Sequence, residues 1–413
     1  MIRTRSLRCA RSLCMTTSLL VAVVTLSTCA GLQRVRPAGP QLMAPPPAGL
    51  TPPQVPMFVS FGSDDNGYSG LPGSGAAGGL HFLTELFAGH RNPAGRGNPA
   101  TFDGAPLHYS FYVNTQYITP GAKSAYGDEA PEDPMWVRLA WKEAVEAGHE
   151  IGNHTDSHPH GRDFTVGQWE AEMQRCSEIL ARPYGEQTSA FPGALPAGLG
   201  IPRDRIPGFR TPFLEYSDAT LTAAQHEGFA YDCSLEEGTQ DDQDGRNFVW
   251  PYRLDPGSPG NPAIGAHPGL WEIPVYVFIV PPDDECERFG VPPGLRDRLK
   301  ARQDYFDPKA GKITGMDWNL WCEFGMSPAE FLATVEYTLD LRLRGNRCPL
   351  TIGVHSMLYS DRRAEGGCAA TPAERRAALR TLLDYLQGVD AVRIVSAREL
   401  LQWLQHPVAL GAA

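Results

Sequence analysis

The chain has 413 residues, 42% of them hydrophobic, and sets 36 Lys and Arg against 47 Asp and Glu for a net charge of −11. Such a length admits two or three average domains or one large α/β barrel, and the apolar content is enough for a sizeable core. The acidic balance argues against nucleic acid or an anionic membrane surface as partner and suits a neutral or cationic substrate.

Residues 1–29 read as a targeting segment. Arg3, Arg5, Arg8 and Arg11 form a basic start, and Leu13 to Leu26 is mostly apolar but short for a membrane span. The segment ends in Leu26-Ser27-Thr28-Cys29, which resembles a bacterial lipobox with Thr28 in place of the more usual Gly or Ala. A lipid on Cys29 and plain secretory cleavage are the alternatives; either predicts export to a periplasmic or extracellular location. Residues 30–56 are Pro-rich and predict an extended tether ahead of a folded domain over 57–408. Beyond Cys9, Cys14 and Cys29, six cysteines remain: Cys176, Cys233, Cys286, Cys322, Cys348 and Cys368. An even set with no C-x-x-C pairing, in an oxidising compartment, predicts disulfides rather than a thiolate metal site. Their connectivity is open.

The folded part starts with a short buried strand, Met57 to Phe61, that breaks at the turn-rich Gly62-Ser63-Asp64-Asp65-Asn66-Gly67. A Gly/Pro/Asn-rich stretch runs to about Asp103, and a second strand spans His108 to Val113. Residues 134–147 have helical periodicity and stop at Gly148; Thr165 is placed to cap a helix to Leu180. Phe209 leads a strand into Arg210-Thr211-Pro212-Phe213, Ser217 caps a helix to Gly228, and Phe229 begins another strand. Residues 236–269 and 281–326 look like inserted loops on either side of a strand from Trp271 to Val280. A helix from Ser327-Pro328 to Gly345, a strand from Leu350 to His355, a capped helix from Thr371 to Gly388, a strand from Val392 to Val395 and a helix capped by Ser396 complete the chain. Alternating strands and helices imply a parallel sheet or barrel, whose functional groups gather at the C-terminal strand ends.

Within Gly148 to Gly161 lie four histidines, His149, His154, His158 and His160. His154 and His158 are four apart and can aim two imidazoles at one point if the backbone is helical or tightly turned; a polar surface loop is the bland alternative. Adjacent Asp64 and Asp65 follow a buried strand, so one can ligate a metal while the other takes a proton. Arg210 can hold the free Asp, and His355, ending an apolar strand, can donate a proton to a leaving group.

The order Asp-Asp, H-x-x-x-H, R-x-P-[aromatic], strand-terminal His resembles the polysaccharide deacetylase family, the carbohydrate esterases related to the rhizobial nodulation-factor deacetylase, and in detail its chitin-deacetylase-like members. The resemblance implies a distorted (β/α) barrel with two loop insertions that removes N-acetyl groups from GlcNAc-containing polysaccharide. It assigns Asp65, His154 and His158 to one divalent ion, Zn²⁺ or else Co²⁺ or Ni²⁺, which binds the attacking water and polarises the acetamide carbonyl. The oxyanion is stabilised by that ion and a backbone N–H. Asp64 is then the base, Arg210 its orienting residue and His355 the acid, while Pro212, Phe213 and Trp271 line the groove, Trp271 as a wall near His355. A monomer is expected, with membrane attachment only through Cys29. Two features depart from the family pattern: Gly62 and Ser63 separate Phe61 from the Asp pair, and Phe213 stands where Tyr is common. The alternatives are an inactive carbohydrate-binding or cell-wall scaffold, and another metal-dependent amidohydrolase or phosphoesterase, whose two-metal site would need further ligands, with His149 and His160 as the spare candidates.

Overall fold

Strand β1, Met57–Asp64, is buried along its whole length, as expected for a parallel strand covered on both faces. Alternate side chains go to opposite sides: Met57, Val59 and Phe61 join the larger apolar cluster under the helices, whereas Phe58 joins a second cluster with Tyr112, Tyr231, Trp250 and Trp403. The computed structural model describes residues 44–122, 132–185, 197–362 and 368–411, which all belong to one unit. The targeting segment, Cys29 and residues 30–43 of the Pro-rich stretch lie outside the described residues. Residues 44–56 lie against the body: Asn346 Nδ2 donates to the Ala44 carbonyl at 2.8 Å and Arg347 to that of Val55 at 2.8 Å.

In chain order β1 is followed by α1 (Gly79–Phe87), β2 (Ser110–Val113), α2 (Pro134–Glu146), β3 (Glu150–Asn153), α3 (Val166–Ala181), β4 (Gly208–Phe209), α4 (Asp218–His226) and β5 (Tyr231–Asp232). Then come β6 (Glu236–Glu237), β7 (Tyr252–Arg253), β8 (Trp271–Glu272), β9 (Val275–Tyr276), β10 (Phe278–Ile279), α5 (Asp283–Cys286), α6 (Leu295–Arg302) and β11 (Lys312–Ile313). The chain closes with α7 (Pro328–Arg344), β12 (Leu350–His355), α8 (Pro372–Gln387), β13 (Val392–Ile394) and α9 (Ala397–Gln405). The main sheet has the order β12-β1-β2-β3-β4-β5-β8-β7, with β13 also on β1; only the β7–β8 pair is antiparallel. It curls until the segment around β9 meets β12, where the Tyr276 amide reaches Thr351 Oγ1 at 3.2 Å and the Gly353 amide reaches the Gly315 carbonyl at 2.8 Å. The fold is the expected distorted α/β barrel. Capping boxes at Thr165, Ser327, Thr371 and Ser396 start four of the helices by satisfying amides that have no partner within the helix.

Four local expectations need correction. The stretch after β1 contains α1, whose Leu80, Leu83, Leu86 and Phe87 are buried. Trp271 to Val280 is not one strand but β8, β9 and β10, each in a different sheet; Pro274 has no amide to give a continuous ladder. The 281–326 insertion is structured, with α5, α6, β11 and a π-turn at Asn319–Glu323. Of the six cysteines outside the targeting segment only Cys322 and Cys368 are bridged; Cys176, Cys233, Cys286 and Cys348 are buried thiols.

Candidate active site

The ladder carries the site residues to one end of the barrel. The His154 amide bonds to the Val113 carbonyl at 3.1 Å, the Arg210 amide to that of Asn153 at 3.0 Å and the Cys233 amide to that of Phe209 at 3.0 Å. Each of these residues therefore comes directly after its strand, beside its neighbour. On the other side Asp64 is in register with His355.

The unusual Gly62-Ser63 spacer does not displace the Asp pair, because β1 runs on through both residues to Asp64. A Cβ at Gly62 would stand 3.1 Å from the Arg210 guanidinium nitrogens and from the Tyr112 ring. Glycine thus leaves the room Arg210 needs to reach Asp64. After Asp64 the chain turns sharply, with Asp65 at φ 66° and Asn66 at φ 61°. The turn is pinned by Asn66 Nδ2 donating to the Ser63 and Tyr112 carbonyls at 2.8 and 2.9 Å, and by Trp141 Nε1 donating to the Asn66 carbonyl at 2.9 Å. Adjacent carboxylates are thereby sent in different directions.

Asp65 faces the histidines. Its Oδ1 lies 3.1 Å from His158 Nε2 and 3.7 Å from His154 Nε2, and all three residues are buried. The H-x-x-x-H stretch is a loop, not a helix. Thr155 and His158 have φ of 73° and 53°, and the His158 amide donates to Thr155 Oγ1 at 3.1 Å. His154 Nδ1 lies 2.8 Å from the Arg210 carbonyl, which assigns the ring proton to Nδ1 and aims the Nε2 lone pair inward. Burial, with His158 nearby, pushes His154 down to about 4, so its ring is neutral. Burial opposes the charge of Asp65, yet His158 above all, with His355 and His154, holds its carboxyl well below the usual range. Two imidazole nitrogens and a carboxylate oxygen with ligand atoms within 4.8 Å of one another are a donor set suited to a divalent transition ion with positions left open. Among the described residues this buried group holds three donors, which argues against a two-metal centre. His149 lies elsewhere, accepting from the Tyr109 amide at 3.1 Å, and His160 is exposed.

Asp64 faces the other way. Arg210 Nη1 donates to its Oδ1 at 3.0 Å, while Arg210 Nε donates to the Cys233 carbonyl at 2.9 Å. Burial works against the guanidinium charge, but Asp64, followed by Cys233 and Tyr112, raises its pKa above the ordinary value.

A residue that sequence reasoning missed completes the site. Asp317, within the 281–326 insertion, places Oδ1 2.7 Å from His355 Nδ1, and its Oδ2 accepts from the His355 amide at 3.1 Å and the Tyr359 hydroxyl at 3.0 Å. Burial alone would lower the His355 pKa; the hydrogen bond and charge of Asp317, aided by Asp65 and Asp64, push it up to about 9. His355 is therefore an imidazolium at neutral pH, with Nδ1–H held by Asp317.

Of the groove residues, Pro212 is buried and Phe213 is 43% exposed. The Phe213 ring stacks on His160 at 3.9 Å and meets His158 edge-on at 4.4 Å, so it caps the histidine loop with one face open. Trp271 opens β8, pairs with Tyr231 and Arg253 and packs against the second apolar cluster.

Residues 101–231 match the family model for polysaccharide deacetylase. Among solved structures, the chain is similar to a protein assigned as a polysaccharide deacetylase in Mycobacterium smegmatis, at 16% identity over 88% of this chain and 93% of that one, with a TM-score of 0.49. A protein so assigned in Pseudomonas aeruginosa PAO1 shows 14% identity over 85% and 92%, with a TM-score of 0.45. A family 4 carbohydrate esterase pseudoenzyme from Bacillus anthracis shows 9% identity over 84% and 66%, with a TM-score of 0.36. Likeness at this level carries no statement about activity. No curated protein matches the chain. The family model falls on the region that holds the histidine loop and Arg210.

Proposed function

We propose that this protein is a metal-dependent N-deacetylase of GlcNAc-containing polysaccharide. The observation that carries the reading is the Asp65–His154–His158 group set between a carboxylate locked to an arginine and an imidazolium locked to an aspartate. A divalent ion such as Zn²⁺, Co²⁺ or Ni²⁺, held by Asp65, His154 and His158, would supply Lewis acidity to the acetamide carbonyl and acidify a water.

The chain's own residues supply the proton transfers. Asp64 accepts the proton of the attacking water, and Arg210 holds and aims that carboxylate. His355 gives a proton to the departing nitrogen as the C–N bond breaks, releasing acetate and an amine. Asp317 fixes the ring so that Nε2 faces the groove and keeps it charged at neutral pH. The open face of Phe213 offers a flat apolar platform for a sugar ring, and a missing tyrosine hydroxyl does not alter that. The basic and apolar leader of residues 1–29 supports export, where such polymers are found.

The test is acetate release from chitin oligomers, peptidoglycan and an acetylated exopolysaccharide by metal-loaded protein, with Asp64→Asn in parallel. We expect turnover on at least one polymer, and a loss of about 10²–10⁴-fold in the variant with its metal retained. Metal-loaded protein that releases no acetate from any of them would leave the inactive scaffold as the better reading. Full activity in Asp64→Asn would remove the base.

A further inference from the structure

We propose that Glu150, Tyr231 and Tyr112 form a polar column inside the barrel that positions Arg210, and through it Asp64. Its consequence for turnover rests on the deacetylase reading above. Glu150 opens β3, Tyr231 opens β5 and Tyr112 lies on β2, and all three are at most 1% exposed.

The Glu150 carboxylate accepts from the Tyr231 hydroxyl at 2.7 Å, Ser110 Oγ at 2.7 Å and the Arg398 amide at 2.9 Å. Ser110 Oγ itself accepts from the Ala397 amide at 2.8 Å, so its own proton is available for Glu150. Every partner of the carboxylate is thus a donor. Tyr231 has spent its proton on Glu150, so the 3.0 Å contact between the two tyrosine hydroxyls runs from Tyr112 to Tyr231. The Tyr112 ring then lies under the Arg210 guanidinium, 4.6 Å from centroid to carbon, and Arg210 holds Asp64 at 3.0 Å. A cation over a ring is worth most when both are out of water, as here.

The strands make room for this column. A Cβ at Gly62 would come within 3.1 Å of the guanidinium and the Tyr112 ring, one at Gly152 within 2.5 Å of the Tyr112 ring, and one at Gly208 within 2.1 Å of the Tyr231 ring. None of the three has a left-handed φ, so what glycine provides at these positions is space. Three strands, β1, β3 and β4, omit a side chain where the column passes. Apolar side chains of equal volume would fill the same space without the cost of burying an acid. An acid and two hydroxyls in line point to orientation as the role: they set the tilt of the Tyr112 ring on which the guanidinium rests.

Tyr231→Phe keeps the ring and cuts the link; Glu150→Gln removes the charge. We expect each to lower kcat by about tenfold, the size of one or two buried hydrogen bonds, with KM and metal content unchanged. The double variant should lose no more than either single one, and neither change should matter further in an Arg210→Lys background. The Arg210 Nε–H resonance should also shift in Tyr231→Phe, which holds whatever the protein's activity. A resonance that stays put overturns the proposal. So do losses that add, and so does an unchanged kcat in folded Tyr231→Phe when the wild type is active. If the wild type is inactive on every polymer, the deacetylase reading falls and the resonance alone decides on the column.

Discussion

Asp65 and His154 follow directly on β1 and β3, with His158 in the loop after β3, whereas His355 takes its partner Asp317 from a segment 38 residues away in sequence. The first half of the site is built by sheet register: strands in a parallel ladder end side by side, and whatever comes next converges. The second half is joined to the sheet by one bridge, Met316 to Gly353 on β12, and runs on into a π-turn that the Cys322–Cys368 disulfide ties down. One half is set by the barrel itself; the other is added to it and can be disturbed without unmaking the barrel.

That contrast can be broken first on the register side. His158→Ala should abolish tight metal binding, read as metal per chain after dialysis, and remove turnover with it, while the melting temperature of the metal-free protein changes little. Retention of one equivalent of metal would show that the sheet end is not the ligand set.

Asp317→Asn should act quite differently, leaving metal content intact and lowering kcat by about 10–10²-fold. Asp317 is a main cause of the raised His355 pKa of about 9, so its loss should move the alkaline limb of the pH–rate profile to lower pH. Linkage gives a second readout. A folded-state pKa above the unfolded one contributes stability that is complete below the ordinary histidine value of 6.5 and is lost as pH rises through about 9. In Asp317→Asn this loss of stability between those two pH values should flatten. An alkaline limb that does not move would mean that Asp317 has no hold on the His355 proton.

The smallest effect on activity is expected from Cys322→Ser or Cys368→Ser. Removing the bridge should lower stability by about 2–4 kcal/mol, seen in chemical melts, and cost less turnover than Asp317→Asn. A loss in kcat equal to that of Asp317→Asn would instead make the bridge essential to the pair.

The same division explains what was legible in the sequence. Apolar runs ending in Asp, His or Arg show strands and what they deliver, and so the Asp64–Asp65, His154–His158, Arg210 and His355 set is readable from spacing and order. Asp317 was not, because no periodicity connects a residue in an irregular segment to a histidine in a strand. The one available signal was physical: a half-buried His355 needs an acceptor for its Nδ1 proton, though that need does not say which acid supplies it. Helix α1 was hidden by its glycine-rich approach, where Gly78 and Gly79 both have positive φ. The buried thiols of Cys176, Cys233, Cys286 and Cys348 carry the same lesson: an even count constrains no pairing until the fold brings sulfurs together.

Strand β1 is bonded to β12, β13 and β2 at once. Amides from Val59 to Asp64 should therefore exchange with solvent only when the whole molecule opens, while those around Trp318 to Phe324 should exchange by local fluctuation. On heating, the support that Asp317 gives His355 would loosen first, while Asp64 and Asp65 still stood in place.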